Sequence, residues 1–112
     1  MTTPAGHAGL ASGAWSRLTL VEQLANVGSE VDRAIRAHES GRVERRDLAI
    51  VRALELFDLI GADERWRGAR RREARRAREE FCRLFYGDDV RPGDAASLQK
   101  YFLQFAVAAR KR

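Results

Sequence analysis

TLVEQLANVGSEVDRAIRAHESG, residues 19–41, is the stretch from which the fold can be read. Leu20, Leu24, Val27, Val31, Ala34, Ile35 and His38 recur at three- and four-residue steps, which on a turn of about 3.6 residues stack into one apolar stripe. Thr19 and Glu22 have the spacing of a capping box, in which the hydroxyl accepts from the third helical amide and the carboxylate accepts from the cap amide. Gly41 supplies the stop. Gln23, Asn26, Glu30 and Arg33 also recur at helical spacing and read as a polar contact surface or a solvated face, the solvated face being favoured. Gly28 lies beside the apolar stripe, where glycine costs about 1 kcal/mol against alanine, and a close helix crossing accounts for it. A stripe of this length has to be covered by the rest of the chain.

Working outward, residues 43–60 read as a second helix with Leu48, Val51, Leu54, Phe57 and Leu59 or Ile60 inward, Asp47 as an alternative cap and Gly61 as terminator. The short connection predicts an antiparallel hairpin with the first helix. Ile50, Leu56 and Ile60 widen the second helix's apolar arc, which places it at the centre of the core and in contact with more than one neighbour. Residues 63–86 read as a third helix whose apolar line, Trp66, Ala69, Ala74, Ala77, Phe81, Leu84 and Phe85, is thin in the middle. GDDVRPGD, residues 87–94, has the composition of a turn, with Asp94 placed to cap a fourth helix from residue 95. That helix carries Leu98, Tyr101, Phe102, Phe105, Ala106 and Ala109 as an aromatic-rich stripe. The expected fold is all-α, a four-helix up-down-up-down bundle. Residues 1–15 are rich in Gly, Ala, Thr and Ser without an apolar period and read as a disordered leader, with Trp15 able to dock on the bundle of residues 16–112.

Composition narrows the class. At 112 residues, with 45% apolar and 33% charged side chains, the chain suits one folded domain and neither a membrane protein nor a chain too polar to collapse. No run approaches the ~20 apolar residues of a membrane span and no signal peptide is visible, so no membrane partner is expected and the cytoplasm is the expected address. Cys82, the single cysteine, excludes an internal disulfide and a cysteine-based zinc site. No metal-ligand cluster, phosphate loop or nucleophile beside a base is present, so no cofactor, metal or catalytic residue is assigned.

Net charge is +5, and residues 61–86 alone carry +4. Nine arginines fall in the third helix, with Glu73, Glu79 and Glu80 placed to pair with several of them. Arg67, Arg70, Arg71, Arg75 and Arg78 recur at helical spacing and form a candidate ridge for successive nucleic-acid phosphates, with Lys111 and Arg112 as auxiliaries. Such contacts give affinity without sequence reading, to RNA or to DNA. The alternative is a solvated, salt-bridged helix in a structural or protein-partner bundle. The broad apolar arc of the second helix and the aromatics of the fourth predict a homo-oligomer. Arg33 and His38 match the arginine, four to six residues, histidine pattern of the HEPN ribonucleases. On an ideal helix they lie about 140° apart, and His38 continues the apolar stripe, so a core or boundary histidine is the favoured reading.

QLANVGSEV at 23–31, RALELFDL at 52–59 and KYFLQFAVAAR at 100–110 resemble a family of small prokaryotic helical-bundle proteins over residues 15–112. In size, helix count and basic charge the chain is similar to the four-helix-bundle proteins encoded in 23S rRNA intervening sequences and to the accessory protein of diversity-generating retroelements. The second resemblance implies a homo-oligomer that binds nucleic acid and a reverse transcriptase, by architecture and without matched contact residues. It implies a non-catalytic accessory role.

Overall fold

A computed structural model describes residues 13–111, and the part of the expected leader that spans residues 1–12 lies outside them. A 3-10 turn, Trp15–Arg17, precedes four helices: α1 Leu20–Glu39, α2 Val43–Ala62, α3 Ala69–Tyr86 and α4 Asp94–Arg110. Among the described residues there is no strand, and the chain is an all-α four-helix bundle.

The order is up, down, up, down. Asp58 of α2 lies beside Arg78 of α3 and Phe57 packs on Phe81. Gln99 of α4 donates to Asp32 of α1 at 2.8 Å, while Phe102, one turn on, meets Gly28, one turn back. These pairings make each neighbour antiparallel. His38 near the end of α1 and Phe85 near the end of α3 are in edge contact, so those two helices run together.

The capping box of α1 forms in full: the Thr19 amide donates to Glu22 Oε1 at 2.9 Å and the Glu22 amide donates to Thr19 Oγ1 at 3.2 Å. Leu24, Val27, Val31, Ala34 and Ile35 of the stripe are buried. The helix is packed on one side by α2 and on another by α4, so its covered arc is wider than the stripe. Gln23 and Glu30, expected on a solvated face, lie at the edge of that arc and are buried, whereas Asn26 and Arg33, further round, are exposed. His38 departs from expectation in the other direction. It sits at the end of the stripe, beyond the reach of full cover, and is exposed, in a T-shaped contact with the Phe85 ring.

The second helix is rotated from its predicted face. Ala49, Ile50, Ala53, Leu56, Phe57 and Ile60 are buried, while Leu48 and Val51 are 47% and 51% exposed. Two apolar faces compete on this helix, and the one with alanines at 49 and 53 lets its axis approach α1 closely, where dispersion contacts are densest. Arg42, and not Asp47, occupies the cap position. Helix α2 touches α1, α3 and, through Phe57 and Phe102, α4, as its broad arc suggests, but α1 is the more extensively packed, chiefly between α2 and α4, and forms the centre of the bundle.

The third helix begins six residues later than its periodicity suggests. The Asp63 amide closes α2 by donating to the Ile60 carbonyl, and the Trp66 amide donates to the Asp63 carbonyl at 3.2 Å. Trp66 is buried in this turn. Gly68 then takes φ +59°, a left-handed value that glycine adopts without a side-chain penalty, and α3 restarts after it. Trp15, expected to dock, is buried in the core cluster.

A buried amide ties these pieces together. Gln23 Nε2 donates to the Trp15 carbonyl at 3.1 Å and to Asp63 Oδ2 at 3.2 Å. Trp66 Nε1 donates to Gln23 Oε1 at 2.7 Å. Asp63 also accepts from the Arg65 guanidinium at 2.7 and 3.0 Å, and that guanidinium lies 4.4 Å above the Trp66 ring. The fourth helix also differs in detail. Gly93 is the cap residue, and the Asp94 carboxylate instead accepts from the Arg91 amide at 2.8 Å and from Arg83 at 3.1 Å.

Two predictions follow from this packing. A Cβ on Gly28 would lie 2.9 Å from Phe102 Cβ, whereas one on Gly61, also helical, meets nothing within 4 Å. Gly28→Ala is expected to lose about 1–2 kcal/mol, overpacking outweighing the gain in helix propensity, while Gly61→Ala gains about 0.5–1 kcal/mol; urea unfolding of the two variants reads the opposite signs. The Arg65 hydrogen bonds, opposed by burial and aided by the Gln23 amide, hold the Asp63 carboxyl down to about 2 from 3.8. A depressed carboxyl stabilises the fold above its unfolded value, so this contribution is complete above about pH 4 and is lost as pH falls toward about 2. Asp63→Asn is expected to flatten that acid limb in thermal melts taken across this range, and an unchanged limb would contradict the assignment.

Candidate nucleic-acid interface

The third helix offers only a narrow apolar line to the core, in which Ala74, Ala77 and Phe81 are buried. Those three positions lie within about 60° of one another on a 3.6-residue helix. The rest of the circumference is left to charge. Every arginine from 70 to 78 is exposed, as expected of a guanidinium that gains nothing from an alanine-lined interior.

The helix has two distinct flanks. On the side toward α4, the Tyr101 hydroxyl donates to Glu73 Oε2 at 2.7 Å. Burial first, and then this bond to an anion, push the Tyr101 hydroxyl well above the usual tyrosine range. Lower on the same flank Arg83 meets Glu80, Asp89 and Asp94 at 3.4, 3.4 and 3.1 Å. Arginine and carboxylate satisfy one another here. Of the glutamates expected to pair with arginines of this helix, Glu80 does so with Arg83, whereas Glu73 accepts from a tyrosine.

On the side toward α2, Arg71, Arg75 and Arg78 fall within about 60° of one another around the helix and along about 10 Å of its axis. They line a groove of about 410 Å³ whose other wall includes Phe57, Asp58 and Ile60. Arg78 approaches Asp58 only at 3.8 Å with both side chains well exposed, an arrangement worth little in water. Arg71 and Arg75 make no ion pair within 4 Å with another described residue. Three cations therefore stand in one row on a rigid support.

The remaining ridge residues are less closely grouped. Arg70 is turned about 100° from Arg71 around the helix. Arg67 lies ahead of α3 in the Trp66 turn, where its Nε donates to the Glu64 carbonyl at 3.2 Å. Lys111 follows the last turn of α4 and is exposed. The antiparallel order brings it to the end of the bundle at which α3 begins. Arg112 lies outside the described residues.

The Arg33 guanidinium is 64% exposed and donates to Glu30 at 2.9 Å, while His38 faces Phe85. Among the described residues no cluster of three or more His, Cys, Asp or Glu side chains suited to a metal is present, and no helix is long and apolar enough to cross a membrane. A second concentration of arginine, at the closed end of the α1–α2 hairpin, is invisible in segment charges because residues 1–41 and 42–60 carry net −1 and 0. The signal available for it was Arg42, Arg45 and Arg52 at helical spacing beyond a tight hairpin. In comparisons with protein families, curated proteins and solved structures, nothing matches this chain.

Proposed function

We propose that the protein is a non-catalytic, cytoplasmic nucleic-acid-associated bundle that holds the phosphate backbone against the α2-facing flank of α3. The observation that carries this reading is the row of Arg71, Arg75 and Arg78, exposed and aligned beside a groove. Its length of about 10 Å equals the rise of about three nucleotides of one strand along a duplex axis, at about 3.4 Å each. Arg67, Arg70, Lys111 and Arg112 extend the positive field toward the end of the bundle where α3 begins. The aromatic side chains of α4 are largely spent on one another and on Phe57, so stacking on single-stranded bases has no platform there, and charge supplies the affinity. The resemblance to the retroelement accessory bundle extends the proposal to a protein partner of the nucleic-acid-enzyme class, such as a reverse transcriptase.

A second observation supports a homo-oligomer. Leu48 and Val51, both about half exposed and about 60° apart around α2, lie outside the core, and an unpartnered apolar pair of this kind is commonly closed by a symmetric copy. Repetition of the α3 row in each subunit then adds weak contacts through effective concentration.

Anisotropy titrations with RNA and DNA duplexes at two salt concentrations test the first reading. Each neutralised duplex phosphate contributes about −0.9 to the slope of log affinity against log salt, so Arg71→Glu with Arg75→Glu should reduce the magnitude of the slope by about 2 and weaken binding at least tenfold at low salt. Tight binding that survives both the charge reversal and high salt would refute it. For the second reading, light scattering at micromolar concentration should give a multiple of the 12.7 kDa chain mass, reduced by Leu48→Glu with Val51→Glu. A single-chain mass for the unaltered protein would contradict it.

A further inference from the structure

The closed end of the α1–α2 hairpin holds a cleft of about 350 Å³ that, among the described residues, no carboxylate lines. Arg33 and Arg36 line it from the second half of α1, and Arg42, Arg45 and Arg52 from the connection and the first half of α2. Ala37 and Ala49, both buried, form an apolar floor, and Ser40 adds a hydroxyl at the rim. Five arginine side chains thus line a space comparable in volume to a small-ligand site.

Their existing partners leave most of that donor capacity unused. Arg33 gives one nitrogen to Glu30 at 2.9 Å, and Arg36 gives Nε to Asp32 at 2.8 Å. Each guanidinium has five N–H donors in a planar fork, so these two carboxylates leave further donors for an anion. Arg52 Nε is buried without a hydrogen-bond partner among the described residues. A buried charged donor without an acceptor is costly, and gathering cations over an apolar floor raises their mutual repulsion. An anion in the cleft relieves both.

The shape selects the kind of anion. The row on α3 is a straight edge suited to the side of a strand. The hairpin cleft is concave and bounded by two helices and their connection, so it admits the end of a chain or a small molecule. Several guanidinium forks around one space suit several phosphate groups in sequence, because each fork pairs with phosphate oxygens in bidentate fashion. The first turn of α2 and the last turn of α1 meet here, so their dipoles offset and the side chains decide the charge.

We propose that this cleft is a polyphosphate site, occupied by a terminal triphosphate, whether of a free nucleotide or of a nucleic-acid 5′ end. The proposal stands apart from the α3 row and predicts a separate set of sensitive residues. Inorganic tripolyphosphate is the first probe, by isothermal titration and by thermal melting against chloride at equal ionic strength. The expected result is saturable binding with a melting temperature raised beyond the chloride control. Arg42→Gln with Arg45→Gln, both at exposed positions, should weaken binding at least tenfold without unfolding the chain, whereas Arg71→Glu with Arg75→Glu should leave it unchanged. ATP and a pair of oligonucleotides with 5′-triphosphate or 5′-hydroxyl ends then separate the sources: preference for the triphosphate end assigns the site to nucleic-acid termini, and binding of ATP without that preference assigns it to free nucleotide. No response beyond chloride, or a response that persists in the Arg42→Gln, Arg45→Gln variant while the fold is intact, overturns the proposal.

Discussion

The side-chain amide of Gln23 is the contact on which the arrangement of the chain depends. It is wholly buried, and in that setting a primary amide has to find partners for both its oxygen and its nitrogen or cost about 1–3 kcal/mol for each group left alone. Its partners are the Trp15 carbonyl, the Asp63 carboxylate and the Trp66 indole. One side chain on α1 thereby joins the N-terminal turn to the connection between α2 and α3, more than 40 residues away in sequence at Trp66. The consequence reaches the basic face. Because Trp66 is held in a turn and Gly68 is left-handed, α3 starts where it does, and its start sets the rotation that sends Ala74, Ala77 and Phe81 inward and Arg71, Arg75 and Arg78 toward the α2 groove.

The bundle divides its work unequally. Helix α1 touches each of the other three, and α2 and α4 clasp it through alanines on one side and through the Gly28–Phe102 crossing on the other. Helix α3 is attached by less: three buried side chains, the Phe57–Phe81 contact and the turns at its two ends. A helix attached along a thin line can carry nine arginines in and around it because few of its positions have to be apolar. The same economy in core contacts leaves the basic flank open.

Much of this was legible in the sequence, and the exceptions share a cause. The number of helices, the Thr19–Glu22 capping box and the meaning of Gly28 all depend on residues within a turn or two, or on the simple fact that glycine marks a close approach. The rotation of α2 was not legible, because Leu48 and Val51 outrank Ala49 and Ala53 in hydrophobicity while the alanines win on how closely two helix axes can approach. Gln23 read as a surface residue because the groups that satisfy it come from positions 15, 63 and 66. His38 lies at the middle of the stripe in angle but at its end in length, and periodicity carries no information about where cover stops. The candidate site divides in the same way. Arg71, Arg75 and Arg78 were found from spacing on one helix, whereas the hairpin arginines are gathered by the connection between two helices whose charges cancel when counted along the chain.

A two-dimensional NMR titration that resolves backbone amides and arginine Nε–H groups, with a short duplex added in low salt, locates the bound phosphates on the protein. The largest shifts should map to Arg71, Arg75 and Arg78 and to the facing residues of α2 from Phe57 to Ala62, with smaller shifts near Arg67 and Lys111. Shifts confined to the outward pair Leu48 and Val51 or to α4, or no shifts at all, would contradict this placement.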